Sequence, residues 1–205
     1  MPKINYTLNK SAGKRLEISY TGYYKDVQIL FDGTLLGTIE NEKELKKGRS
    51  YTLKDKTVLT VQLVKKEVFV LEILHNGVPL PGSATDPHQI LKLAYSFIYF
   101  LGLLNIIIGV CAVVFKFEFL NQIGASAYSI AGGILMFALG YCVFKQSRIA
   151  LATAIGIFIL DGILGMYFMS LQGIQPSLIG LGARIVFILP CFQGFKAIKQ
   201  IKEKR

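Results

Sequence analysis

Hydrophobic and polar positions divide this chain in two. Up to about Ser83, apolar residues alternate with polar ones. From Leu91 to Lys196 they run together in long stretches split by short polar or charged breaks. Alternation with period two gives a strand one buried and one wet face. Leu16, Ile18 and Tyr20 alternate with Glu17 and Ser19, and Val27, Ile29 and Phe31 repeat the pattern. The predicted strands are Ile4 to Leu8, Arg15 to Thr21, Asp26 to Phe31, Thr34 to Ile39, Tyr51 to Leu53, Val58 to Val64 and Glu67 to His75. Asp32-Gly33 and Asn76-Gly77 mark tight turns, because such turns need positive φ and Gly adopts it freely. Lys65-Lys66 is read as a further hairpin turn, and Asn41 to Arg49 as a charged connection with a helical turn. About seven short strands in this space predict a compact all-β sandwich or barrel.

The apolar stretches are Leu93 to Phe115, Gly124 to Phe144, Ile149 to Leu171 and Ser177 to Phe195. A hydrocarbon core ~30 Å thick needs ~20 helical residues to cross it. Each stretch reaches that length and is apolar nearly all round, as lipid contact requires. The fold class expected is therefore an α+β membrane protein: a small N-terminal all-β sandwich or barrel followed by a four-helix transmembrane bundle. The expected divisions are a β module at 1–85, four transmembrane helices within 86–196, and a basic tail at 197–205. Between module and bundle, Pro79 and Pro81 stiffen the chain. Asp86 is positioned to cap a helix that has Pro87 first and Gln89 three residues after the cap.

Charge sets the orientation. The loop after the second stretch carries Lys145 and Arg148, and the tail carries Lys199, Lys202, Lys204 and Arg205 just beyond Lys196. The loop from Ser170 to Pro176 has no charge, and Lys116 is balanced by Glu118. Positive loops face the cytoplasm, so both termini are expected there. The polar start, Met1-Pro2-Lys3, lacks the pattern of a secretory signal and agrees with that assignment. The net charge of +10 could suit nucleic acid. Much of it lies beside helix ends, where it meets anionic lipid headgroups instead. The expected partners are the bilayer, anionic headgroups at the basic tail, and a protein partner or the chain's own copies, with no nucleic acid. Cys111, Cys142 and Cys191 all fall inside apolar stretches, as an odd set of buried thiols without disulfide or zinc spacing.

Candidate chemistry is sparse. Asp161 and Arg184 are the full charges deep inside the stretches, and a mid-membrane charge costs ~2.5–3.5 kcal/mol on insertion scales. On antiparallel third and fourth helices their depths differ by only ~3 Å, so an intramembrane ion pair is expected. Asn105 is a third intramembrane polar group. Gly102 and Gly109, with Ala112, form a small-residue stripe on the first helix, and Ala125, Ser129, Gly133 and Gly140 form one on the second. Such stripes let backbones approach closely in lipid and read as packing seams. Pro190 is expected to kink the fourth helix. His75 and His88 lack the neighbours of a metal site. No phosphate-binding glycine loop and no nucleophile elbow is present, and no cofactor is implied.

Two resemblances bear on the module. Gly48-Arg49-Ser50 and Asn76-Gly77 are faintly similar to a forkhead-associated domain, but the Ser-x-x-His element between them is missing, which leaves phosphopeptide reading unsupported. The segment from Gly48-Arg49-Ser50-Tyr51-Thr52-Leu53 through Leu71-Glu72-Ile73-Leu74-His75-Asn76-Gly77 resembles the β-sandwich repeat of the Fas apoptotic inhibitory molecule, which implies an interaction domain. The junction from Asn76 to Pro87 resembles that of uncharacterised multi-pass bacterial membrane proteins with an N-terminal β module, which implies a bacterial inner membrane. The function expected is a non-enzymatic integral membrane protein that anchors a cytoplasmic β-sandwich interaction module. The alternative is a subunit of a small oligomeric channel or transporter that uses Asp161 and Arg184.

Overall fold

In the computed structural model the backbone is described for residues 3–8, 15–65, 69–115, 127–171, 173 and 178–203. Side chains are described for the same residues apart from 168, 169, 171 and 178–187. The chain forms two compact units, Met1–Gln89 and Ile90–Arg205.

The first unit holds two four-stranded antiparallel sheets. One is β1 (Lys3–Thr7), β2 (Arg15–Thr21), β3 (Lys25–Phe31) and β4 (Thr34–Ile39), paired in that order. The other is β5 (Arg49–Thr52), β6 (Val58–Lys65), β7 (Phe69–His75) and β8 (Val78–Pro79), also in order. The alternating apolar residues of both sheets share one core. Leu16, Ile18, Val27 and Ile29 come from the first sheet, and Leu59, Val61, Leu71 and Ile73 from the second.

The connection between the sheets is a short helix, α1 (Glu42–Lys47). Asn41 starts it, its side chain accepting from the Glu44 N–H at 3.0 Å. Gly48, at φ 78°, ends it. Leu45 is its one buried residue and joins the shared core. Full burial of such a side chain stabilises by about 1.5–3 kcal/mol. The helical turn read from the charged stretch is therefore what lets the chain cross from one sheet to the other.

The two sheets repeat one design. Asp32 and Gly33 have φ of 47° and 77°, and Asn76 and Gly77 have φ of 51° and 76°, the signature of a two-residue type I′ hairpin. Each turn is tied to the first residue of the second strand of its sheet. Asp32 Oδ1 accepts from the Arg15 N–H at 2.8 Å while the Asp32 N–H donates to the Arg15 carbonyl at 2.9 Å. Asn76 Oδ1 accepts from the Val58 N–H at 2.8 Å while the Asn76 N–H donates to the Val58 carbonyl at 2.8 Å. The β8 strand, unexpected from the sequence, is the short counterpart of β4. The expected Lys65-Lys66 turn involves 66–68, which lie outside the described residues.

The second unit is helical: α2 (Pro87–Phe115), α3 (Ala127–Phe144), α4 (Arg148–Leu171) and α5 (Leu178–Glu203). Asp86 caps α2, accepting from the His88 N–H at 3.0 Å and from the Gly82 N–H at 2.8 Å. Among the described residues three helices are long and apolar enough to cross a membrane: Pro87–Phe115, Ala127–Phe144 and Arg148–Tyr167. This fits a multi-pass membrane protein. Their outward faces carry large apolar side chains such as Leu103, Ile107, Ile134, Leu135, Leu160 and Ile163, the surface that lipid contact requires.

A tight turn reverses α3 into α4. Gln146 takes φ 63°, and the Ser147 N–H reaches back to the Cys142 carbonyl at 3.0 Å, satisfying the end of α3. Ser147 then starts α4, its hydroxyl accepting from the Ala150 N–H at 3.2 Å. All four helices meet in one apolar core that includes Leu91, Ile98, Met136, Val143, Leu151, Ile155, Cys191 and Ile198.

One expectation gains detail and one is corrected. The expected basic tail is helical over residues 197–203. They continue α5, with Ala197, Ile198 and Ile201 buried and Lys199 and Lys202 on the opposite, exposed side. Burying three apolar residues offsets the cost of ordering the last turns. The cysteines also differ from one another: Cys191 is buried, but Cys142 is exposed on the apolar surface of α3. Pro190 lies inside α5, which stays helical across it.

Candidate functional site

Helices α2 and α3 approach closely at glycines. A Cβ on Gly133 would stand 2.6 Å from the Gly102 carbonyl oxygen and 2.5 Å from Ile106 Cγ1, and a Cβ on Gly140 would stand 2.8 Å from Tyr99 Cε1. Tyr99 also meets Phe137 at 5.4 Å between ring centroids, and Tyr95 meets Phe144 at 5.5 Å. Gly102, Gly133 and Gly140 thus form the seam read from the small-residue stripes. Gly109 and Ala112 are buried farther along α2, and Ala125 lies outside the described residues.

Ser129 belongs elsewhere. The seam ends where Gly132 is reached, since a Cβ there would meet nothing within 4 Å. The space beside it is a cleft of about 190 Å³ between α2, α3 and α4. Asn105 from α2, Tyr128 and Ser129 from α3, and Asp161 from α4 line it, with Met136, Ile157 and Phe158 as apolar wall. Polar side chains on three otherwise apolar helices therefore converge on one place. The cleft is open to the surface of the bundle, with Tyr128 and Asp161 exposed and Asn105 and Ser129 half-buried.

Asn105 Nδ2 donates to the Leu101 carbonyl one turn back at 3.1 Å. One of its two amide N–H bonds is thus engaged by its own helix. Tyr128, Ser129, Phe158 and Asp161 each make further interactions. Asp161 lies on α4 and Arg184 on α5, but the side chain of Arg184 lies outside the described residues, as does the expected ion pair. Among the described residues, no three His, Cys, Asp or Glu side chains gather as metal ligands do. His75 closes β7 and His88 stands in the first turn of α2.

In the β module, Tyr20 and Tyr24 approach at 5.1 Å between ring centroids, and Tyr23 meets Tyr24 edge-on at 6.0 Å. Tyr24 takes φ 55° in the β2–β3 turn. The Thr21 hydroxyl spans that turn, lying 3.0 Å from the Lys25 carbonyl and 2.9 Å from Asp26 Oδ2. Tyr23 is 75% exposed, so the cluster presents one open ring on a partly buried base.

Comparison with known protein families, with curated proteins and with solved structures finds no match.

Proposed function

We propose that the chain is a non-enzymatic multi-pass membrane protein that holds a cytoplasmic β module at the membrane for protein recognition. In this reading α5 is a fourth span and both termini are cytoplasmic. The observation that carries it is the division into two units with separate cores. The sheet core from Leu16 to Leu80 and the helical core from Leu91 to Ile201 have no residue in common. A module with its own core can present a surface whose shape does not depend on the helices. The basic positions Lys145, Arg148, Lys196, Lys199 and Lys202 support the orientation, because all lie near the bundle end that carries the α3–α4 turn. The same positions suit anionic headgroups.

The convergence of Asn105, Ser129 and Asp161 on one cleft favours a second reading, a channel or transporter subunit. Four spans seldom enclose a pathway alone, so this version requires an oligomer.

The two readings separate on the double variant Asp161→Asn, Arg184→Gln of the full chain. After cross-linking in membranes, an anchor keeps the neighbours that cross-link to its module, and deletion of 1–85 removes them. Proteoliposomes of the unsubstituted protein should show no more Na⁺, K⁺, Cl⁻ or H⁺ flux than empty vesicles. Flux that the double variant abolishes makes the second reading the correct one.

A further inference from the structure

We infer that Lys92, Lys145, Arg148 and Lys196, one basic residue at the end of each membrane helix, form a ring that selects anionic phospholipid headgroups around the bundle. Lys199 and Lys202, farther along α5, are not what selects them. This rests on the reading of four spans and deepens it, by naming the lipid class and the side chains that meet it.

Each helix changes character at one step. Lys92 precedes the apolar run from Leu93, Lys145 follows Phe144, Arg148 precedes Ile149, and Lys196 follows Phe195. Packing sets these four steps at one depth. A Cβ on Gly194 would stand 3.0 Å from Leu151 Cδ2 and 3.1 Å from Ala94 Cβ, so α2, α4 and α5 are level there. Tyr95, the next residue of α2, meets Phe144 at 5.5 Å between ring centroids, which brings the end of α3 to the same level. At ~1.5 Å per helical residue, Lys92 and Lys196 lie ~3 Å outside that level and Arg148 ~4.5 Å outside it. Lys145 follows Phe144 directly. The headgroup layer of one leaflet is ~5–7.5 Å thick, so all four fit within it.

The four side chains are exposed. Lys92 is two positions from Ala94, and Lys196 two from Gly194, so each stands ~200° round its helix from the three-helix contact. They face outward, toward surrounding lipid, and not into a shared pocket. Lys145 Nζ lies 5.6 Å from the ring centroid of Tyr141 and 5.8 Å from that of Phe144, which keeps its charge at the edge of the apolar surface. Among the described residues of the helical unit, the acidic side chains are Asp161 and Glu203. Asp161 lies ~20 Å deeper than Arg148 along α4, and Glu203 lies ~13.5 Å outside the Gly194 level, so neither is in the layer. Lys and Arg only donate hydrogen bonds, and the phosphate oxygens of a lipid only accept. Lys199 and Lys202 stand ~7.5 and ~12 Å out by the same count, and Lys199 is beside Glu203 at 3.8 Å.

The test uses the full chain in phosphatidylcholine vesicles, with spin-labelled phosphatidylglycerol or spin-labelled phosphatidylcholine as probe. Electron paramagnetic resonance measures the label held at the protein surface. Phosphatidylglycerol should be preferred about twofold or more at low salt, and the preference should fade in 1 M NaCl, where the Debye length is ~3 Å. Lys92→Gln, Lys145→Gln, Arg148→Gln and Lys196→Gln together should abolish it, with the phosphatidylcholine signal unchanged as the mark of an intact bundle. Each single substitution should lower it, which decides the matter if the combination does not fold. Lys199→Gln with Lys202→Gln should leave it in place. Equal association of the two lipids with the unsubstituted protein overturns the proposal. So does a preference kept in the ring variants or lost in the α5 double variant. The labels occupy both leaflets, so a chain whose termini face outward loses the anchoring role and keeps the ring. A chain that restrains neither label is not in the bilayer, and both readings fall.

Discussion

Gly102 and Gly133 cross with no room for a methyl group between them: a Cβ on Gly133 would lie 2.6 Å from the Gly102 carbonyl oxygen. The preceding residue, Gly132, faces open space. Two adjacent glycines on one helix therefore have opposite roles. Gly133→Ala must push α2 and α3 apart, and forced overpacking of this kind costs about 1–3 kcal/mol. Gly132→Ala meets no neighbour and gains about 0.5–1 kcal/mol of helix preference. Thermal melting in detergent should show a lower midpoint for Gly133→Ala and an equal or higher one for Gly132→Ala. Equal losses in the two variants would contradict the seam.

Much of this was legible in the sequence, for local reasons. Asp32-Gly33 and Asn76-Gly77 announce their turns because positive φ at two successive positions restricts the residue choice. Strands β2 and β4 have the bounds that alternation predicts. The cleft was not legible. Asn105, Ser129 and Asp161 sit on three helices, and only the packing of those helices brings them together. Spacing alone grouped Ser129 with Gly133 and Gly140. The buried end of α5 did leave a signal. Ala197, Ile198 and Ile201 form an apolar face at helical spacing, hidden among the lysines that dominated the reading of that segment.

That face gives a second test. Ile198 is fully buried, and Ile→Ala in a core costs about 2–5 kcal/mol. Lys199 is exposed and its contact with Glu203, at 3.8 Å, is a surface pair. Its replacement by Ala should stay within about 0.5 kcal/mol. A melting comparison of Ile198→Ala with Lys199→Ala checks this directly. A free tail would leave both unchanged.

The tyrosine cluster predicts an alkaline limit for the β module. Burial holds the Tyr6 phenol above its ordinary value, with Tyr20 and Tyr24 adding to the effect. Burial also raises Tyr24, reinforced by Tyr20 and Tyr23 and opposed by a hydrogen bond from the Leu71 backbone. Below the unfolded value of ~10 both states are protonated and these groups leave stability independent of pH. Above it the unfolded chain ionises first, so the folded state binds more protons and stability falls as pH rises. Urea unfolding of residues 1–89 should show a plateau up to about pH 10 and a decline beyond it. The decline should be shallower in Tyr6→Phe. An identical slope in the variant would remove Tyr6 from the account.

The orientation of the chain tests the central claim most directly. A membrane-held module facing the cytoplasm requires an even number of spans with both ends on that side. Reporter fusions at Arg205 and at Gln172, read in intact cells, should fall on opposite sides, with Arg205 cytoplasmic. An external signal at Arg205 would contradict the fourth span and the proposed anchoring role with it.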